Sequence, residues 1–344
     1  MARITIKQVA AVAGVSPTAV SLAINGKDGI SKETRARILE IVRQMDFIPN
    51  ESSRRLLFNR TGNIAVLTDR ELSLLEQSFY SELNNHLIRE SENRQYNLIY
   101  CVATVAPDKT VEIPKVIKSR DVDGIIVLGY LDPLVIERIH ACDCPTVILD
   151  NYLPVSGIGY VIFDYESAAT LAVEHLVSKG HREIGYLGSD ISSGHSQFFG
   201  QQTFKGYRQV LEKYQMDMTA GWVQMNAQDE DTAEEAMNRI LKSPRRPTAI
   251  LCNADIFAIG ALRSLKKQHI RVPADISVIA IDDIILSSYI EPALTTVRVD
   301  RKYMAAKGIE ILISKIENKI ENDKFMCANH ILVERETVSA LSPG

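Results

Sequence analysis

Five cysteines, one tryptophan and the absence of any long apolar run set the first limits on this 344-residue chain. Cys101, Cys142, Cys144, Cys252 and Cys327 are odd in number and scattered. That suits a reducing cytoplasm better than a disulfide framework. No apolar stretch approaches the roughly 18 residues of a spanning helix, and Met1-Ala-Arg leads into a capped helix. Neither a membrane anchor nor an export signal is therefore expected. The motifs that announce chemistry are missing too. There is no Gly-x-Ser-x-Gly, no Walker loop and no His-Glu-x-x-His, and Gly157-Ile-Gly159 is too short for a dinucleotide fingerprint. His140-Ala-Cys142-Asp-Cys144 gathers three soft ligand types. It lacks a fourth ligand and a Cys-x-x-Cys partner, so it reads as a helix-to-strand loop. Neither a metal nor a cofactor is expected, and the chain does not read as an enzyme.

What is present is a charge asymmetry. Residues 1–60 carry ten Lys/Arg and five Asp/Glu, a net +5, whereas the whole chain is −4. The remainder is then −9. A small basic head on an acidic body points to contact with phosphates. The pattern within the head agrees. Thr5 and Gln8 form a capping box for a first helix, and Ala10, Ala13 and Gly14 allow a close, sharp turn. Ser16 caps a second helix with Pro17 at its first position, Val20 and Ile24 face inward, and Asn25-Gly26 stops it. Pro17, Thr18, Ser21 and Leu22 are left on the outward face. In a helix-turn-helix those positions reach base edges in the major groove. Ser31 caps a third helix over 32–45, with Ile38, Ile41, Val42 and Met45 as its apolar stripe. Asn50 follows Pro49 and caps a short segment, Glu51 to Leu57, too small to be a stable helix alone.

From Asn63 onward strands and helices alternate, the signature of parallel sheets covered by helices. Strands are expected at 63–68, 96–102, 124–128, 146–149, 183–187, 249–252, 277–281 and 330–333. Helices are expected at 79–91, 111–120, 133–141, 167–179, 203–214, 232–242, 256–267 and 302–318.

The order of helix-turn-helix, third helix, Pro49-Asn50, short Arg/Leu segment and α/β body resembles the LacI/GalR family of bacterial transcription regulators along nearly the whole chain. The fold it implies is an N-terminal all-α helix-turn-helix domain plus an α/β periplasmic-binding-protein-like core of two parallel-sheet subdomains. Implied boundaries are 1–48 for the head, 49–61 for a hinge helix and linker, 62–163 plus 294–323 for the first subdomain, and 164–293 plus 324–344 for the second. By resemblance Leu56, with Arg54 beside it, would wedge a central minor-groove step. Family members often read guanine with an Arg where this chain has Leu22, which suits a thymine methyl instead. Thr5, Ser16, Asn25 and Asn50 complete the expected DNA-binding set.

Ligands of open α/β sheets sit beyond the carboxyl ends of strands. Arg70, Asp150, Asp164, Asn253, Asp255 and Asp282 lie at such ends, and Phe79 or Tyr80 could cover an apolar sugar face. Resemblance singles out Asp255 and Asp282. It also puts Thr203, three residues before Gly206, where many relatives place an Arg that grips a sugar or base. Trp222 reads as packing. The expected protein is a cytoplasmic homodimer on pseudo-palindromic operator DNA, without the extra tetramerisation helix of some relatives. It would be a repressor of a carbohydrate operon with a sugar or sugar-phosphate effector, and a co-repressor protein in some cases. The alternative is a sugar-binding or sugar-modifying protein with no DNA role. The first 57 residues discriminate, because neither alternative has a use for them.

Overall fold

A computed structural model of the protein describes residues 4–24, 28–47, 60–68, 78–189, 197–318 and 325–341. The chain divides into two compact units, Met1–Thr61 and Gly62–Gly344. The first contains α1 (Ile6–Ala13), α2 (Pro17–Ile24) and α3 (Lys32–Gln44). Val9, Ala10, Ala13, Val20, Ala23, Ile38 and Phe47 form its core. Ala23, rather than the expected Ile24, is the fully buried partner of Val20. Ile41, Val42 and Met45 are only partly buried against that core. The small residues of α1 let α2 and α3 close over so short a chain.

The second unit is built from β1 (Asn63–Thr68), α4 (Ser78–Asn93), β2 (Asn97–Val102), β3 (Thr104–Val105), β4 (Val111–Glu112), α5 (Lys115–Lys118), β5 (Gly124–Leu128), α6 (Pro133–His140), β6 (Thr146–Leu149) and β7 (Ile158–Phe163). It continues with α7 (Tyr165–Ser178), β8 (Ile184–Ser189), α8 (Gln197–Lys213), β9 (Val223–Ala227), α9 (Glu230–Leu241), β10 (Ala249–Cys252), α10 (Asp255–Lys267) and β11 (Ser277–Asp282). It ends with β12 (Thr295–Val299), α11 (Arg301–Ile316), β13 (Phe325–Ala328) and β14 (His330–Val333). The helix expected over 111–120 is mostly absent. Pro114 lacks an N–H and biases Ile113 away from helical geometry, so only the four-residue α5 follows it. β3, β4, β7, β9, β12 and β13 were not anticipated.

Two six-stranded sheets result, in the orders β13-β7-β6-β5-β1-β2 and β14-β12-β11-β10-β8-β9. All pairs are parallel except β12 with β14. The boundaries implied by resemblance need adjustment here. Thr295–Val299 was placed with the first subdomain but pairs with β11 in the second sheet. Phe325–Ala328 was placed with the second but pairs with β7 in the first. Unpaired backbone at either sheet edge would be costly, and these pairings satisfy it.

The first two crossings between sheets share one construction. β7 belongs to the first sheet, Asp164 caps the next helix at φ −84° and ψ 79°, and α7 packs on the second sheet. β12 belongs to the second sheet, Asp300 caps at φ −77° and ψ 76°, and α11 packs on the first sheet. Asp164 accepts from Ser167 N at 2.9 Å, and Asp300 from Tyr303 N at 2.9 Å. The same strand-Asp-helix device thus runs in both directions.

The second lobe also repeats a packing device. A Cβ at Gly206 of α8 would lie 2.3 Å from the Glu166 carbonyl oxygen of α7, and one at Gly260 of α10 would lie 2.2 Å from that of Glu230 in α9. Each helix pair therefore touches backbone to backbone. Gly260→Ala is expected to force α9 and α10 apart and cost about 1–3 kcal/mol, as overpacking does. Urea melts of the two proteins check this. An unchanged midpoint would show that the helices part freely.

Candidate effector cleft and nucleic-acid head

The head carries its capping chemistry as expected. Thr5 N donates to Gln8 Oε1 at 2.7 Å, and Gln8 N donates back to Thr5 Oγ1 at 3.4 Å. Gly14 ends α1 at φ 63°, a left-handed conformation that disfavours side chains. Ser16 Oγ accepts from Ala19 N at 3.1 Å, which starts α2. Pro17 and Thr18 are exposed, while Ser21 and Leu22 are half-buried. Leu22 leans over Gly29, where an added Cβ would sit 3.2 Å from Leu22 Cδ1. Exposed residues therefore occupy the first turn of α2, the part of a recognition helix that contacts bases. Asn25, Asn50, Arg54, Leu56 and Arg70 lie outside the described residues.

In the core, Asp150 is one meeting point of the two lobes. It follows β6 in the first lobe and is buried. Tyr80 of α4 donates to its Oδ2 at 2.9 Å, and Tyr165 of α7 donates to its Oδ1 at 2.6 Å. Phe79 and Phe199 sit beside these phenols, with ring centroids 5.1 Å from Tyr80 and 5.8 Å from Tyr165. Tyr165 had no sequence signal, since it reads as the ordinary first residue of a helix.

Asp282 ends β11 and is also buried. Its backbone is strained at φ 132°, while Asp150 and Asp283 sit at φ 64° and φ 55°. Strain concentrated in three acidic residues beside one cleft is typical of ligand sites. Burial raises the pKa of Asp282, the Asp255 charge raises it further, and Arg301 opposes both.

The structure gives other candidates internal tasks. Asp255 is fully buried and accepts from Ser287 Oγ at 2.5 Å, Thr296 Oγ1 at 2.5 Å and Ile284 N at 3.0 Å. Those bonds tie Asp255 to the loop after β11 and to β12. Asp164 is occupied as a cap, with Ser167 Oγ at 2.7 Å in addition to the backbone bond. Thr203 is buried against Tyr186 OH at 2.9 Å and donates to Phe199 O at 2.9 Å. Asn253 Nδ2 donates to Ser189 Oγ at 3.1 Å, whereas its buried Oδ1 has no partner among the described residues. Trp222 is buried and donates to Arg245 O at 2.7 Å, consistent with packing. Cys142 and Cys144 pack against the first lobe's core.

Arg301 and Glu82 were not anticipated. Arg301, the first residue of α11, is buried and donates to the carbonyls of Asp282 at 2.6 Å and Asp283 at 2.7 Å. It pairs with Glu82 of α4 at 2.8 Å and stacks over Phe79 at 5.5 Å. Glu82 also accepts from Ile285 N at 2.8 Å, across the cleft.

A helix-turn-helix head on a two-lobed cleft core defines an effector-binding DNA regulator rather than an enzyme. Residues 5–50 match the model described as bacterial regulatory proteins, lacI family, and residues 173–338 match a periplasmic binding protein-like domain. The HTH-type transcriptional repressor PurR of Vibrio cholerae serotype O1 is 30% identical over 98% of this chain and 99% of its own length. That of Vibrio vulnificus is 31% identical over 98% and 99%. The chain belongs to the LacI family of bacterial regulatory proteins. Among solved structures, the Lac repressor dimer bound to operator and the anti-inducer ONPF aligns at TM-score 0.78 and 24% identity, covering 98% of this chain and all of that one. A transcriptional regulator CelR–cellobiose complex aligns at 0.70 and 23%, covering 97% and 100%. Among the described residues, no single helix is long and apolar enough to cross a membrane.

The buried carboxyls make stability pH-dependent. Burial lifts Asp150 from 3.8 to about 6, with its two phenol bonds opposing, and lifts Asp255 from 3.8 to about 7. A carboxyl with a raised folded pKa takes up a proton on folding. Its stabilising effect is largest below about pH 4 and fades as pH rises through the folded value. Asp150→Asn removes one such group. Its Tm relative to the parent is expected to rise by on the order of 2–4 °C between pH 4.5 and 7.5. Thermal melts across that range check this, and a constant difference would contradict it.

Proposed function

We propose that the protein is a cytoplasmic homodimeric repressor of a carbohydrate operon, released or engaged by a neutral sugar in the core cleft. The observation that carries the effector reading is Asp150, held by one phenol from each lobe. Sugar hydroxyls are suited to replace those phenols on the carboxylate, and Phe79 offers an apolar face for the ring. A phosphate dianion placed beside buried Asp150 would meet the like charge of its carboxylate. That favours a sugar over a sugar phosphate in this cleft.

Cleft closure has an internal reporter in Glu82, which accepts from Ile285 N and pairs with Arg301. A ligand that binds better to one spacing of the lobes shifts the population toward it. Two heads on one dimer would read a pseudo-palindromic operator through Pro17, Thr18, Ser21 and Leu22, with Leu56 as the central wedge. A second reading is a planar nitrogen base as effector. It is favoured by the aromatic faces of Phe79, Tyr80, Tyr165 and Phe199 around a buried acceptor.

Selection of bound sequences from random duplex DNA, at fixed salt, tests the DNA half. The intact protein is expected to enrich a pseudo-palindrome, and Leu56→Ala to lose at least tenfold in affinity for it. No enrichment with or without candidate effectors would overturn the reading. For the cleft, thermal shifts with neutral mono- and disaccharides and with nucleobases separate the two effector readings. A sugar-induced shift that is lost in Asp150→Ala is expected. A nucleobase-induced shift would establish the second reading, and silence from both classes would overturn both.

A further inference from the structure

Two adjoining grooves of about 370 and 380 Å³ open where α4 faces the strand ends of the second lobe. They share Glu82, His86 and Arg298 as common lining, and neither is lined by Asp150, Tyr80 or Tyr165. Their walls hold five Lys/Arg against three Asp/Glu, in a body whose overall charge is negative.

The pairing of these charges is incomplete. Arg301 is satisfied by Glu82 and two carbonyls. Arg298 and Arg335 share one carboxylate, Asp283, at 2.5 and 2.6 Å. Arg89 and Lys302 are exposed and have no hydrogen-bond or ion-pair partner among the described residues. The pKa of His86 is lowered first by burial and then by the charges of Arg89, Arg301 and Lys302. Glu82 opposes them, and the lining as a whole keeps an excess of positive side chains.

We propose that these grooves form a second ligand site, outside the sugar cleft, that takes a phosphate dianion, free or as a phosphate monoester. Arginine forks match phosphate oxygens in geometry and charge, and lysine adds a point charge. Each groove lies within the size range of small-molecule sites. The placement has a mechanical meaning. His86 and Arg89 stand on α4 and Lys302 on α11, both packed on the first sheet, while Arg298 and Arg335 belong to the second lobe. A dianion shared between them bridges the lobes beside the Glu82–Arg301 pair and holds them at one spacing.

Calorimetric titration of the full chain with inorganic phosphate, and separately with ribose 5-phosphate, tests the site at matched ionic strength against chloride. Saturable binding at one site per chain is expected, with at least tenfold loss in the Arg89→Ala/Lys302→Ala double variant. Those two side chains are exposed and unpaired, so the variant's Tm without phosphate should match the parent's. Tighter binding of ribose 5-phosphate than of inorganic phosphate would assign the source as a monoester, and the reverse would assign the free ion. No saturable heat, or equal affinity in parent and double variant, would overturn the proposal. The titration uses neither neutral sugar nor DNA, so its failure is separable from failure of the effector reading.

Discussion

The guanidinium of Arg301 is the contact on which the arrangement of the two lobes depends. It leaves the second sheet's last crossing, enters the first lobe as the start of α11, and turns its donors back onto the carbonyls of Asp282 and Asp283. Those carbonyls belong to residues with positive φ, where β11 ends and its loop begins. Without a buried donor they would be left unsatisfied at a cost of a few kcal/mol. The charge is compensated by Glu82 of α4, in the same lobe as α11, and the flat cation rests on Phe79. One side chain thus supports the strained loop, the lobe contact and the aromatic wall together.

Around that contact the carboxylates divide by what their lone pairs can still do. Asp255 and Asp164 spend theirs on the fold, and Asp283 is neutralised by two arginines. Asp150 is different because its partners are phenol hydroxyls from separate lobes, which a ligand can replace without leaving backbone unpaired. Chemically similar residues at similar strand ends therefore have unequal claims to ligand contact. The difference lies in whether the donors are mobile side chains or fixed peptide groups.

Much of this was legible in the sequence. Thr5, Gln8, Gly14, Ser16 and Ser31 act through neighbours within a few residues, so their capping tasks could be read locally. Tyr80 and Asp150 were recognisable as strand-end and aromatic candidates. What could not be read depends on distant partners. The pairings of β12 and β13 are set by which sheet edge each strand reaches, and no period in the sequence encodes that. Arg301 and Glu82 look like surface charges on amphipathic helices until folding brings them together. Position alone does not reveal that Asp255 also bonds Ser287 and Thr296, far along the chain.

The paired Asp164 and Asp300 crossings carry a geometric consequence. Each strand-to-helix passage bends through nearly the same dihedral angles while running in opposite directions between the sheets. A rotation of one lobe against the other is therefore shared between these two bends and the third passage, from β13 to β14. Such a joint favours a single path of opening over independent sliding or splaying.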